Sequence, residues 1–149
     1  MARITRRTFL STVGQSACAV AFVSPIAGIT AAAAQKSMDP IILDLTKPEN
    51  EALTKTGGAI KIPNPLNKKR PIIVIRNTEA EISAYSSKCT HMGCEIGMPV
   101  EGVMTCPCHK AQFDMSGNAV RGPAKKPLMQ FTAVLEETSV TISAPAGKK

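Results

Sequence analysis

Both histidines of this 149-residue chain, and four of its five cysteines, fall in two short segments. The first reads Cys89-Thr90-His91-Met92-Gly93-Cys94. The second reads Cys106-Pro107-Cys108-His109. Each offers soft thiolate and imidazole donors at loop spacing, Cys-x-His in one and Cys-x-x-His in the other, with an extra cysteine in both. A group bound by both segments pins the two loops together, and this constrains the fold more tightly than the hydrophobic pattern does. The chain also needs such a pin. Aromatic residues make up only 3 %, with no Trp and one Tyr, so few large rings can build a core. A domain of about 115 residues is small for a self-sufficient one, and a cofactor or a disulfide helps to hold it.

The first 34 residues do not read as part of that domain. Arg3, Arg6 and Arg7 make a basic start. An uncharged stretch runs from Phe9 to Ala34 and ends in four alanines. Basic start, apolar middle and small-residue end describe an export signal. The run Thr5-Arg6-Arg7-Thr8-Phe9-Leu10 is similar to the twin-arginine signal, with Ser11 where a Lys is usual. Cleavage before Gln35 is expected, leaving a mature domain over 35–149. The alternative is an uncleaved anchor, since residues 9–34 are long enough to span a bilayer, although Gln15, Ser16, Ser24 and Pro25 make a poor span. Cys18 reads as a small residue within this segment. The destination is an oxidising compartment such as the periplasm, where disulfides persist. Without the three arginines the domain carries 15 Lys+Arg against 11 Asp+Glu. That balance suits a solvated surface or an acidic partner and gives no reason to expect nucleic acid.

The rest reads as short strands. Pro40–Leu45, Ala59–Ile62, Pro71–Arg76, Glu81–Ser86 and Met129–Leu135 carry extended or alternating apolar patterns, and Val140 and Ile142 continue a last hairpin. Residues 77–80 turn the third of these into the fourth. Residues 64–71, with two prolines and Lys68-Lys69-Arg70, read as an exposed loop, and 145–149 as a frayed tail. No amphipathic helix, internal repeat or nucleotide-binding glycine loop is evident. About eight short strands point to an all-β fold, a small antiparallel sandwich or barrel.

Two thiolates and two imidazoles are the donor set of a [2Fe–2S] centre of the Rieske type. Its neutral histidines leave the site less negative and raise its potential to roughly −150 to +300 mV, against about −400 mV for plant-type all-cysteine clusters. A zinc site is the alternative, although zinc more often spaces its first pair by two to four residues. On Cys-Thr-His-Met-Gly-Cys and Cys-Pro-Cys-His, and on Phe113-Asp114, Gly117 and Gly122-Pro123-Ala124, the sequence resembles the Rieske iron–sulfur protein family over about 75–135. The resemblance implies a Rieske-type antiparallel β-sandwich with a small cluster-binding subdomain of two loops. It implies Cys89 and Cys106 as ligands of the buried iron, and His91 and His109 as ligands of the outer one. It implies a disulfide between Cys94 and Cys108, as in the proteins of cytochrome bc complexes; two free thiols are the alternative. Met92, Gly93, Pro107, Gly122 and Pro123 would shape the cluster pocket, with Gly93 in a turn conformation that a side chain obstructs.

Departures from the pattern matter too. In quinol-oxidising relatives a Ser and a Tyr follow the second motif, and their hydroxyls donate to cluster and ligand sulfurs. Here Ala111 and Phe113 stand there. A potential below those relatives is expected. Lys110 replaces a usual Gly; its charge favours the reduced cluster, serves docking or is merely solvated. The resemblance implies a one-electron relay, its first reading an exported iron–sulfur subunit of a quinol–cytochrome c reductase-like complex with cytochrome b-type and c-type partners. The rival is a free periplasmic carrier or the small subunit of a molybdenum oxidoreductase such as arsenite oxidase. A terminal oxygenase would need further histidines, and the chain has none.

Overall fold

A computed structural model describes residues 38–145. The export segment read over 1–34 and the tail after Pro145 lie outside the described residues. Nine strands run in chain order: β1 (Ile41–Asp44), β2 (Ala59–Ile62), β3 (Ile72–Arg76), β4 (Ile82–Ser86), β5 (Val103–Thr105), β6 (Gln112–Asp114), β7 (Ala119–Arg121), β8 (Gln130–Leu135) and β9 (Ser139–Pro145). A 3-10 helix, Pro48–Thr54, lies between β1 and β2. Six strands form one antiparallel sheet in the order β1-β9-β8-β4-β3-β2. The other three form a small antiparallel sheet, β5-β6-β7.

Successive side chains of a strand face opposite sides of its sheet, and β3 is buried on both. That explains its unbroken run Ile72-Ile73-Val74-Ile75. Ile72 and Val74 join Ala84, Phe131, Val140 and Ile142 in one core. That core gathers side chains from all six strands, so the sheet curls around it, and Leu53 of the 3-10 helix covers it. Ile73, Ile75 and Tyr85 face the other way. They meet Ile96, Met104 and Phe113 in a second core that contains Cys89 and Cys106.

The second core explains where the cysteine segments go. Residues 87–129 form the connection between β4 and β8, which are neighbours in the large sheet. The insertion is tied at its root. Ser86 N–H donates to the Met129 carbonyl at 2.8 Å, and Ser87 N–H to that of Pro71 at 2.9 Å. The three short strands β5–β7 are its frame.

The six strands named from the sequence are present, and both hairpins, β3–β4 and β8–β9, pair as expected. Strands β5–β7 and the 3-10 helix were not anticipated, because three-residue strands offer no alternation long enough to read. The loop 64–71 is only partly exposed. Lys68 and Lys69 face solvent, but Asn64 is buried, and its Oδ1 accepts the N–H groups of Leu66 and Asn67. Among the described residues, no helix is long and apolar enough to cross a membrane.

Gly117 marks a close approach between the insertion and the sheet. Its φ is +76°, and a Cβ there would lie 2.6 Å from Cε1 of the buried Tyr85. Gly117→Ala should cost about 2 kcal/mol or more, from left-handed backbone strain and overpacking together. Thermal unfolding of the variant measures this; an unchanged midpoint would show that Tyr85 yields freely.

Candidate metal centre

The two cysteine segments are built as the same turn. In the first, Cys89 N–H donates to the Cys94 carbonyl (2.8 Å), and Gly93 N–H donates to the Cys89 carbonyl (2.8 Å). In the second, Cys106 N–H donates to the Ala111 carbonyl (2.8 Å), and Lys110 N–H donates to the Cys106 carbonyl (3.0 Å). The hydrogen-bond spacing is identical, and so is the conformation that closes each turn. Gly93 has φ +74° and Lys110 has φ +58°. A left-handed residue in the fifth position reverses the chain and sends the first cysteine inward while the tip residues stay outside. Glycine does this freely; for lysine the left-handed region costs about 1–2 kcal/mol.

The consequence is a layered site. Cys89 and Cys106 are 2 % and 1 % exposed and sit in the second core. Their thiols are neighbours there. Burial pushes the Cys89 thiol above its ordinary pKa. The N–H groups of His91 and Met92 pull the other way by donating to its sulfur, and the Cys106 sulfur reinforces the rise. His91 and His109 lie outside this pair, both exposed. Their ring centroids are 4.8 Å apart and the rings stand perpendicular. Cys94 and Cys108 form a disulfide across the two turns, with Cα atoms 6.5 Å apart. The sulfurs of Cys94, Cys106 and Cys108 lie within 4.8 Å of one another. Two of the three are joined, so they make no separate metal site; the disulfide lies against the Cys106 sulfur.

Two side chains from outside the two motifs, Arg70 and Lys61, and one from within the first, Thr90, hold the first turn by long-range contacts. Arg70 Nε donates to the Gly93 carbonyl at 2.7 Å. Lys61 Nζ reaches Glu95 Oε1 at 2.6 Å and the Ile96 carbonyl at 3.0 Å. Thr90 Oγ1 donates to the Lys126 carbonyl at 2.7 Å. Sequence reasoning missed all three, because the partners are 23 to 36 residues apart. Ala111 and Phe113 are fully buried beside the thiols, so Phe113 packs the core as well as lacking a hydroxyl. Gly93 has the turn conformation anticipated for it. Pro107 and Gly122 are exposed, with Gly122–Pro123 a cis peptide bond.

Two buried thiols in contact, an exposed imidazole pair beside them and N–H groups directed at a sulfur make a donor set that fits an iron–sulfur cluster. The chemistry of an S₂N₂ set also accommodates zinc, and comparison with known proteins separates the two. The family model for the Rieske [2Fe-2S] domain matches residues 55–132. A cytochrome b6-f complex iron–sulfur subunit of Chlorobaculum thiosulfatiphilum is 27 % identical over 127 residues, covering 79 % of this chain and 70 % of the relative. A protein of Haloferax mediterranei, named as the Rieske subunit of a respiratory nitrate reductase, is 26 % identical over 170 residues, covering 95 % and 77 %. Among solved structures, the cyanobacterial plasma membrane Rieske protein PetC3 from Synechocystis PCC 6803 matches with a TM-score of 0.51 and 31 % identity, covering 58 % of this chain and 86 % of that one.

The disulfide closes a loop of sequence separation 14. Replacing both Cys94 and Cys108 by Ala should lower stability by about 2–4 kcal/mol, read by thermal unfolding under oxidising conditions; equal midpoints would mean that other contacts already brace the turns. Lys110→Gly should act oppositely. It removes a left-handed penalty of about 1–2 kcal/mol and adds a glycine entropy cost of about 0.5–1 kcal/mol. The expected result is an unfolding midpoint at or above the parent's, and a clear drop would contradict the shared-turn description.

Proposed function

This chain belongs to the Rieske [2Fe-2S] domain family, and from that premise we propose that it is an exported electron-transfer protein, the iron–sulfur subunit of a quinol–cytochrome c reductase-like respiratory complex. Its cofactor is a [2Fe–2S] cluster and its task is electron transfer. When bound, the cluster accepts and passes on single electrons. Cys89 and Cys106 are the thiolate ligands we assign to it, and His91 and His109 the imidazole ligands. The domain runs over 35–149 and follows a twin-arginine signal over 1–34.

The observation that carries this reading is the layered arrangement: thiols inside, imidazoles outside, and a disulfide joining the turns between them. Buried cysteines keep water from the sulfurs. Exposed histidines leave a ring nitrogen at the surface, where it can hydrogen-bond a quinol oxygen. The disulfide suits an oxidising compartment, in agreement with an exported protein. Similarity to cytochrome b6-f subunits supports a complex of that general type, with cytochrome b-type and c-type partners. Residues 9–34 would attach the protein to the membrane if retained. The second reading, a small subunit of a molybdenum oxidoreductase, is favoured by the relative named for a nitrate reductase, whose match spans 95 % of this chain.

A redox titration at several pH values, with EPR of the reduced cluster, tests the proposal. A positive potential that falls as pH rises past neutrality is the result expected of a quinol-linked centre. A potential near or below zero and flat across neutral pH would exclude quinol oxidation and leave the low-potential relay. Ala111→Ser and Phe113→Tyr should each raise the potential, because a hydroxyl donated to sulfur stabilises the added electron. No rise in either would show that the buried hydroxyls do not reach the sulfurs.

A further inference from the structure

The charge immediately around the two cysteine turns is one-sided. Ser86, at the end of β4, marks the insertion, and the opposite end of the large sheet is marked by its two hairpin turns. Those turns carry Glu79, Glu81, Glu136 and Glu137. In the insertion, Glu95 is paired with Lys61, and Glu101 and Asp114 lie toward the end of the β5–β6 pair away from Cys106. Segments 86–94, 106–113 and 119–130 contain Lys88, Lys110, Arg121, Lys125 and Lys126, and no Asp or Glu. All five are exposed. Lys88 and Lys126 line one cleft of about 530 Å³ together with His91, Met92 and Met129. Lys110 follows His109, whose ring stands against that of His91.

The centre of this basic surface is apolar. Met92 is 70 % exposed and Met129 45 %. An apolar centre with a charged rim is the anatomy of a protein interface, and methionine adapts to more than one partner surface. Lys110 adds a separate observation. The equivalent position of the other turn is Gly93, which adopts the same conformation without strain. A lysine that bears the left-handed penalty next to an exposed histidine has a use for its side chain.

Resting on the electron-carrier reading, we infer that Lys88, Lys110, Lys125 and Lys126 form a collar that docks an acidic redox protein over His91 and His109. The partner carries carboxylates around its own exposed redox group, and it meets Met92 and Met129 at the centre. The acidic hairpin turns at the far end turn the molecule so that the tip arrives first. Transient redox complexes bury little surface, so charge acts chiefly on the rate of encounter and less on the lifetime of the complex. An anionic lipid surface would also attract lysines, but it would cover the histidines through which the electron must leave.

The test uses the cluster-loaded protein and an acidic plant-type [2Fe–2S] ferredoxin as reductant, in stopped flow at several ionic strengths. One electron passes from the reduced ferredoxin, which is oxidised, to the oxidised cluster, which is reduced. Association with oxidised ferredoxin is measured in parallel by calorimetry. The second-order rate constant should fall steeply with salt. The variant Lys88→Glu/Lys110→Gly/Lys126→Glu should be at least about tenfold slower at low salt and should converge with the parent near 1 M, where screening is complete within about 3 Å. It should bind ferredoxin more weakly and react faster with a lysine-rich cytochrome c as oxidant. Lys55→Glu, at the far end, should leave the rate within about twofold. Convergence at high salt separates a docking effect from a changed potential. Salt-independent rates, or equal rates in parent and variant, would overturn the proposal. So would loss of binding to phosphatidylglycerol vesicles in the variant with ferredoxin rates unchanged, which would make this a membrane-facing surface. Reduced-cluster EPR is recorded first: its absence overturns the electron-carrier reading along with the docking surface, whereas its presence with salt-independent rates overturns the docking surface alone.

Discussion

Two pairs of backbone hydrogen bonds hold the site together. Each closes a six-residue turn that begins with a buried cysteine, and each depends on one left-handed residue, Gly93 or Lys110. A turn of this shape gives its first residue and its tip opposite environments. It draws Cys89 and Cys106 into the core at van der Waals density, where their sulfurs meet away from water. It leaves His91 and His109 at the surface. The chemical difference between the donors, anionic sulfur and neutral nitrogen, is thereby matched to a difference in exposure. Because charge is costly to bury unpaired, the thiolates are stable there only with metal. Protein and cofactor are therefore coupled: burial that disfavours free thiolate favours the loaded state.

The sheet supplies the rigid floor. Side chains from one face of β3 and β4 complete the core under the thiols, while the other face belongs to a core that involves all six strands. The insertion thus shares two of the most buried strands with the main body. Arg70 and Lys61 extend that connection to the outside of the first turn, each donating to a backbone carbonyl beside it. The second turn has no comparable side-chain support among the described hydrogen bonds. It is held by the strands β5 and β6 on either side and by the disulfide, so Cys94–Cys108 transmits the support of the first turn to the second.

The legible parts of the fold and site were those carried by residue type and local spacing. A Cys-x-His and a Cys-x-x-His are visible without any structure, and β3 announces itself by four apolar β-branched residues in a row. The cysteine pairing came from family resemblance, and the coordinates place the bond there. Strands β5–β7 were illegible because each spans three residues and owes its existence to pairing across the insertion. The role of Arg70 was hidden for a different reason. It sits in a basic run that reads as solvated, and its acceptor is a carbonyl 23 residues away, which no side-chain pattern records. Likewise, Lys110 is visible in the sequence as a departure from glycine, but its left-handed backbone follows from the hydrogen bonds of the turn, which residue type does not record.

Electron affinity at such a site is a balance of nearby positive ends. Hydroxyl donors at 111 and 113 are absent, and both positions are closed to water. What remains close to the sulfur are the N–H groups of His91 and Met92, which the turn fixes in place. Farther out stand the lysines. A solvated ammonium is screened and changes the site's potential little, whereas the same charge acts at long range on an approaching partner before water is excluded. The chain therefore divides two tasks by distance. Amide donors set the local field at the sulfur, and the lysine collar governs which protein arrives to exchange the electron.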